Sequence, residues 1–170
     1  MSQILKRSVI GSALVLSLVT SPAAQSQVFI VRHAEKAPIG AGAAPMMAED
    51  PELSTPGHER AASLAAALKD AGITAIYATQ YKRTQQTAAP LAKALGLTVN
   101  VVLSGDLAAL LEKLKAIPGN VLVVGHSNSV TEIVQGLGVP TPLKLTDADY
   151  DNLFVVTRGE KPTLLRLHYR

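Results

Sequence analysis

Val28-Phe29-Ile30-Val31-Arg32-His33 sets four apolar residues, three of them β-branched, directly before two basic ones. A run this short, with no polar alternation, suits a strand buried on both faces, and such strands belong to parallel sheets covered by helices on each side. A second run, Val121-Leu122-Val123-Val124, ends in the same manner at Gly125-His126.

Working outward, the apolar period switches repeatedly between strand and helix. Ala34 to Glu52 carries Pro38, Gly40, Gly42, Pro45 and Pro51 and reads as a long loop, a kind of segment that often serves function. Ser54 or Thr55 can cap the following helix, Pro56 suits its first turn, and Leu64 and Leu68 carry it toward Gly72. Strands are expected over 73–78, 98–103 and 121–125, with helices over 82–95 (stopped by Gly96), 107–116 and 130–137. Residues 153–157 and 163–169 alternate like strands, joined as a hairpin around Arg158-Gly159-Glu160. Strands alternating with helices predict an α/β, three-layer sandwich with a mainly parallel central sheet.

Right-handed crossovers bring the carboxyl ends of parallel strands to one edge, where loops build a ligand site. Arg32-His33 ends the first strand, Tyr81-Lys82-Arg83 follows the second, Asp106 the third and His126-Ser127-Asn128 the fourth. Two imidazoles and two guanidiniums can therefore converge. A neutral imidazole is a nucleophile near pH 7, and its attack on phosphorus gives a phosphohistidine that water can open. Arginine suits such chemistry because its planar fork pairs with two phosphate oxygens. The amides of Ser127 and Asn128, at a helix start, can add donors for an anion.

These residues carry a family resemblance. Val28 to Lys36 resembles the opening strand and Arg-His signature of the histidine phosphatase (phosphoglycerate mutase-like) superfamily, in an Arg-His-Ala-Glu version with Ala34 in place of the commoner glycine. Thr79 to Ala88 is similar to that family's Ser-x-x-x-Arg-x-x-x-Thr-Ala segment, with Thr79 and Gln80 where serine is usual. Val123-Val124-Gly125-His126-Ser127 resembles its second-histidine segment, and Leu53-Ser54-Thr55-Pro56-Gly57 its usual helix start. The resemblance implies a phosphoglycerate mutase-like fold. It also implies that His33 is the phosphorylated nucleophile, while Arg32, Arg83 and His126 hold the phosphoryl group. Mutases of this family are usually longer, so a small phosphatase with an open pocket is the expectation.

Leaving-group protonation calls for a carboxylic acid opposite the nucleophile. Asp106 is favoured over Glu35, with Glu112 also near, although Asp106 is equally a credible helix cap. Two other functions compete. A non-catalytic phosphate-binding module needs the arginines without a competent acid. A serine hydrolase can be read from Gly125-His126-Ser127-Asn128-Ser129, with Ser127 as nucleophile and Asp147 or Asp149 and then His168 behind it, but Ser129 stands where that motif has its second glycine.

Composition narrows the classes further. The 170-residue chain is 48% hydrophobic and 17% charged, enough apolar content for one packed domain. Absence of cysteine excludes disulfides, thiolate metal sites and cysteine nucleophiles. His58 and His168 read as structural, no His-Glu-x-x-His spacing occurs, and neither metal nor cofactor is implied. Lys6-Arg7, the uncharged run from Ser8 to Val19 and the small residues at 21–26 have the layout of a cleaved secretory signal over 1–26, leaving a domain over 27–170. That run is about a dozen residues long where a spanning helix needs about 20. The expected location is periplasmic or secreted, with no stable membrane anchor after cleavage. Sixteen basic residues less Lys6 and Arg7 leave 14 against 13 acidic, a balance without the footprint of nucleic-acid binding. The expected partner is a small phosphorylated substrate.

Overall fold

The computed structural model describes residues 25–38 and 50–170. The leader expected over 1–26 lies outside the described residues except for Gln25 and Ser26, and so does the middle of the long loop, 39–49.

Six strands form one sheet: β1 (Gln27–Arg32), β2 (Ile73–Ala78), β3 (Val99–Val101), β4 (Asn120–Gly125), β5 (Asn152–Thr157) and β6 (Thr163–His168). Among the described residues four helices connect them: α1 (Thr55–Leu68), α2 (Lys82–Leu95), α3 (Leu107–Ala116) and α4 (Ser127–Gly136). The strand order is β3-β2-β4-β1-β5-β6, with β1 to β4 parallel and β5 and β6 added antiparallel.

The continuous apolar runs explain the layers. Successive residues of a strand point to opposite faces, so β1 sends Phe29 and Val31 one way and Val28 and Ile30 the other. The first pair packs with Leu64 and Leu68 of α1 and Leu91 of α2. The second packs with Leu110 and Leu114 of α3 and Val130 and Ile133 of α4. β4 divides likewise, Leu122 and Val124 against Val121 and Val123. This is the expected three-layer α/β sandwich with a mainly parallel sheet.

Local chemistry sets the boundaries. Ser54 caps α1, its Oγ accepting from the Gly57 amide at 3.2 Å. α2 ends at Gly96, whose φ of 66° is one that glycine adopts without strain. Two boundaries differ from expectation. β3 is only three residues long and pairs with β2 alone; its last residue, Val101, and Leu103 beyond it are exposed rather than packed. α4 begins at Ser127, three residues earlier than its first apolar residue, since the Val130 amide already donates to the His126 carbonyl at 3.0 Å.

The ends of the long loop are zipped together. The Ala37 amide donates to the Glu52 carbonyl and the Ser54 amide to the Glu35 carbonyl, both at 2.9 Å. Gly57 lies directly against that Glu35 carbonyl, so a Cβ at position 57 would overlap it. Gly57→Ala is therefore expected to destabilise the fold by roughly 1–3 kcal/mol, the usual range for overpacking. Urea denaturation checks this, and an unchanged midpoint would mean that the loop shifts freely.

Candidate active site

Parallel β1, β2 and β4 end side by side, and the segments at their carboxyl ends deliver Arg32 and His33, Arg83, and His126 to one crevice of about 310 Å³. Lys36, Tyr81, Ser104, Ser127, Asn128 and Asp147 complete its lining.

His33 is 4% exposed, and its amide donates to the Gly125 carbonyl at 2.9 Å, tying the nucleophile candidate to the strand that carries His126. Its Nδ1 lies 2.8 Å from the Ala34 carbonyl. A carbonyl only accepts, so Nδ1 carries the proton and Nε2 keeps its lone pair. Burial, with help from Arg32, His126 and Arg83, pushes the His33 pKa down to about 3, against the opposing hydrogen bond to Ala34. Ala34 is itself held, its amide donating to Thr87 Oγ1 at 2.9 Å while that hydroxyl donates to the Arg83 carbonyl at 2.7 Å. The threonine four residues after Arg83 thus fastens the β1 end to the first turn of α2.

His126 faces His33 edge-on, with ring centroids 5.4 Å apart, and its Nε2 lies 3.0 Å from Thr79 Oγ1. Burial first, then Arg83, Arg32 and Lys36, lower its pKa to about 4. Both imidazoles are neutral at physiological pH. The guanidiniums flank them: Arg83 stacks on the Tyr81 ring at 4.3 Å, and Arg32 on Tyr150 at the same distance. The Nε of each arginine is buried without a protein partner. Neutral imidazoles and fixed positive forks make a cradle for an oxyanion.

A family model described as the histidine phosphatase superfamily (branch 1) matches residues 28–108. That stretch, which holds Arg32, His33 and Arg83, is similar to the histidine phosphatase superfamily. No curated protein sequence matches it closely. Among solved structures, the protein histidine phosphatase SixA complexed with tungstate is 24% identical, with a TM-score of 0.66 over 84% of this chain and 96% of that one. A mycobacterial glucosyl-3-phosphoglycerate phosphatase bound to VO3 is 15% identical, with a TM-score of 0.60 over 82% and 97%. A phosphoserine phosphatase variant from Entamoeba histolytica, in complex with phosphoserine, is 15% identical, with a TM-score of 0.59 over 82% and 95%. At these identities the likeness fixes the fold, which this chain shares across nearly the whole length of each neighbour.

Of the expected site residues, the fold brings Arg32, His33, Arg83 and His126 together and leaves the carboxylates apart. Asp106 departs from expectation: it caps α3, accepting from the Ala109 amide at 3.1 Å, and lines a neighbouring apolar pocket rather than the crevice. A side chain that short cannot both cap a helix and lean over the next loop. Glu35 is turned away and grips Arg60 with both oxygens at 2.6–2.9 Å. Hydrogen bonds and charge from Arg60 hold its pKa below the usual value despite burial, the largest and opposing influence. Glu112 pairs with Lys115 on the exposed face of α3. His168, the base a serine hydrolase would need, pairs with Asp151 at 2.9 Å and lines a different cavity.

Thr146, Asp147 and Tyr150 all contact Arg32, a grouping the sequence does not suggest: it singles out neither Thr146 nor Tyr150, and Asp147 enters only as the acid of a serine hydrolase. They precede β5, and because β5 runs antiparallel to β1 its amino end, not its carboxyl end, reaches the active edge.

The lowered histidine values predict the pH behaviour. A nucleophile is lost on protonation, so a pKa moved down from 6.5 moves that loss to lower pH. The acid limb of kcat/KM is expected near pH 4 or below, and an inflection near 6.5 would contradict the buried, neutral pair. Stability moves the other way. Below pH 6.5 the unfolded chain takes up protons that the folded histidines refuse, so stability falls on acidification through that range.

Proposed function

We propose that this protein is a phosphatase that transfers a phosphoryl group to His33 and then to water. The observation that supports the reading most is the pair of neutral imidazoles 5.4 Å apart in one crevice with the Arg32 and Arg83 guanidiniums. His33 Nε2 attacks phosphorus, the bond from phosphorus to the leaving group breaks, and the leaving group departs with the electron pair. Water then attacks the phosphohistidine, the N–P bond breaks with its electrons returning to Nε2, and phosphate leaves as a proton passes to solvent. Arg32, Arg83 and His126 hold the phosphoryl oxygens in both steps, and the α4 amides of Ser127 and Asn128 add dipole donors.

Asp147, the one carboxylate among the described lining residues, is turned to Arg32 at 3.3 Å, which leaves no unpaired carboxyl in that lining to face a leaving group. The favoured substrates are therefore small phosphorylated compounds whose leaving groups depart unaided, such as aryl and acyl phosphates or phosphoramidates. That the SixA neighbour is described as a protein histidine phosphatase accords with this preference. The uncharged run from Ser8 to Val19 supports action in the periplasm or outside the cell.

The test is phosphate release from alkyl phosphates, p-nitrophenyl phosphate and a phosphoramidate. Phosphoramidate and aryl ester are expected to turn over well ahead of alkyl esters, and Asp106→Asn to slow aryl and alkyl esters by the same small factor. A much larger loss on alkyl esters would return the acid role to Asp106. No release from any substrate, with phosphate still bound, would favour a phosphate-binding module.

A further inference from the structure

We propose that Tyr150 is a positioning residue for Arg32, holding its guanidinium plane in the orientation that meets phosphoryl oxygens. The proposal rests on the phosphatase reading of the crevice. Arg32 leaves the end of β1 with a side chain only 6% exposed, yet its head is fixed by one short segment that arrives from far along the chain. Nη1 donates to the Thr146 carbonyl at 2.9 Å, Nη2 to Asp147 Oδ1 at 3.3 Å, and Cζ lies 4.3 Å from the Tyr150 ring centroid.

These contacts are unequal. Asp147 is 96% exposed, so water and salt weaken its hold. The Thr146 carbonyl is pre-set by Asp149, whose Oδ2 accepts from the Thr146 amide at 2.6 Å and from its hydroxyl at 2.8 Å. A carbonyl contact fixes one nitrogen and leaves the plane free to rotate about it. The aromatic face fixes the plane. Tyr150 is half-buried and belongs to none of the apolar clusters, and its ring centroid lies 6.2 Å from that of His33. Its packing is thus directed at the site rather than the core. An arginine without that face must be ordered by the ligand itself, which weakens binding.

The measurement is calorimetric binding of inorganic phosphate to the full chain. Tyr150→Leu is expected to weaken binding about tenfold, a loss within the range of a desolvated cation–π contact. Tyr150→Phe keeps the face and recovers most of the affinity, although it lacks the hydroxyl that stands 3.5 Å from Nη2. In an Arg32→Ala background, Tyr150→Leu adds no further loss. Should Tyr150→Leu fail to fold, Asp149→Ala, which frees the Thr146 carbonyl, is expected to weaken phosphate binding in the same direction by a smaller factor. Wild-type affinity in Tyr150→Leu, an equal loss with Arg32 already removed, or no rescue by phenylalanine would each overturn the proposal. Phosphate binding that follows this pattern without turnover of any ester would sink the enzymatic reading alone, whereas a wild-type chain that does not bind phosphate would sink both.

Discussion

His33→Ala is expected to abolish turnover, by a factor on the order of 10⁶ if it behaves as other covalent nucleophiles do. The fold should survive, because His33 stands at the end of β1 and the apolar clusters beneath it do not include its ring. Their side chains stay in place when the imidazole is removed. Rapid quenching of the wild-type chain with labelled substrate should give an acid-labile adduct on His33 that is absent from the variant. Retained turnover, or a stable adduct on Ser127, would overturn the assignment and revive a serine mechanism.

Arg83→Lys keeps a positive charge and loses the fork. Lysine is a point charge on a flexible stem, unable to present two parallel donors or to lie flat on the Tyr81 ring. If each Arg83 donor acts as an oxyanion-hole donor does, turnover should fall by about 10²–10³, or roughly 2.7–4 kcal/mol of transition-state stabilisation. Steady-state rates on an aryl phosphate measure it, and vanadate inhibition should weaken in parallel. Near-normal rates in Arg83→Lys would mean that charge alone holds the phosphoryl group. Arg83 also lies 3.6 Å from Asp50, an ion pair at the crevice rim that a lysine can keep, so loss of that pair would not explain the fall.

The layered fold and the convergence of Arg32, His33, Arg83 and His126 were legible because each is written locally. An apolar run followed by a polar residue places that residue at a strand end, and parallel strands gather their ends. What sequence did not disclose depends on three-dimensional direction. Nothing in the residues from Thr146 to Tyr150 announces that β5 runs backwards beside β1, so their grip on Arg32 could not be foreseen. Asp106 shows the opposite limit: its position after the third strand suited an acid and its position before α3 suited a cap. Sequence spacing cannot choose between two uses of one carboxylate, and in the structure the Ala109 amide has taken it.

The place of β1 in the sheet bears on how the chain reaches its folded form. Its two neighbours, β4 and β5, are both made late: the Gln27 amide finds Asn120 across 93 positions, and the Gln27 side chain meets Thr157 across 130. A nascent or truncated chain that stops before residue 152 cannot give the strand that leads into His33 both its partners. The free-energy cost of closing such long loops grows only slowly with length, about 0.6 kcal/mol per doubling, so stability tolerates the arrangement. Rate is more sensitive, because distant pairings must form before they are rewarded. The strand that leads into Arg32 and His33 is therefore synthesised first among the six described and completed only when the chain is nearly whole.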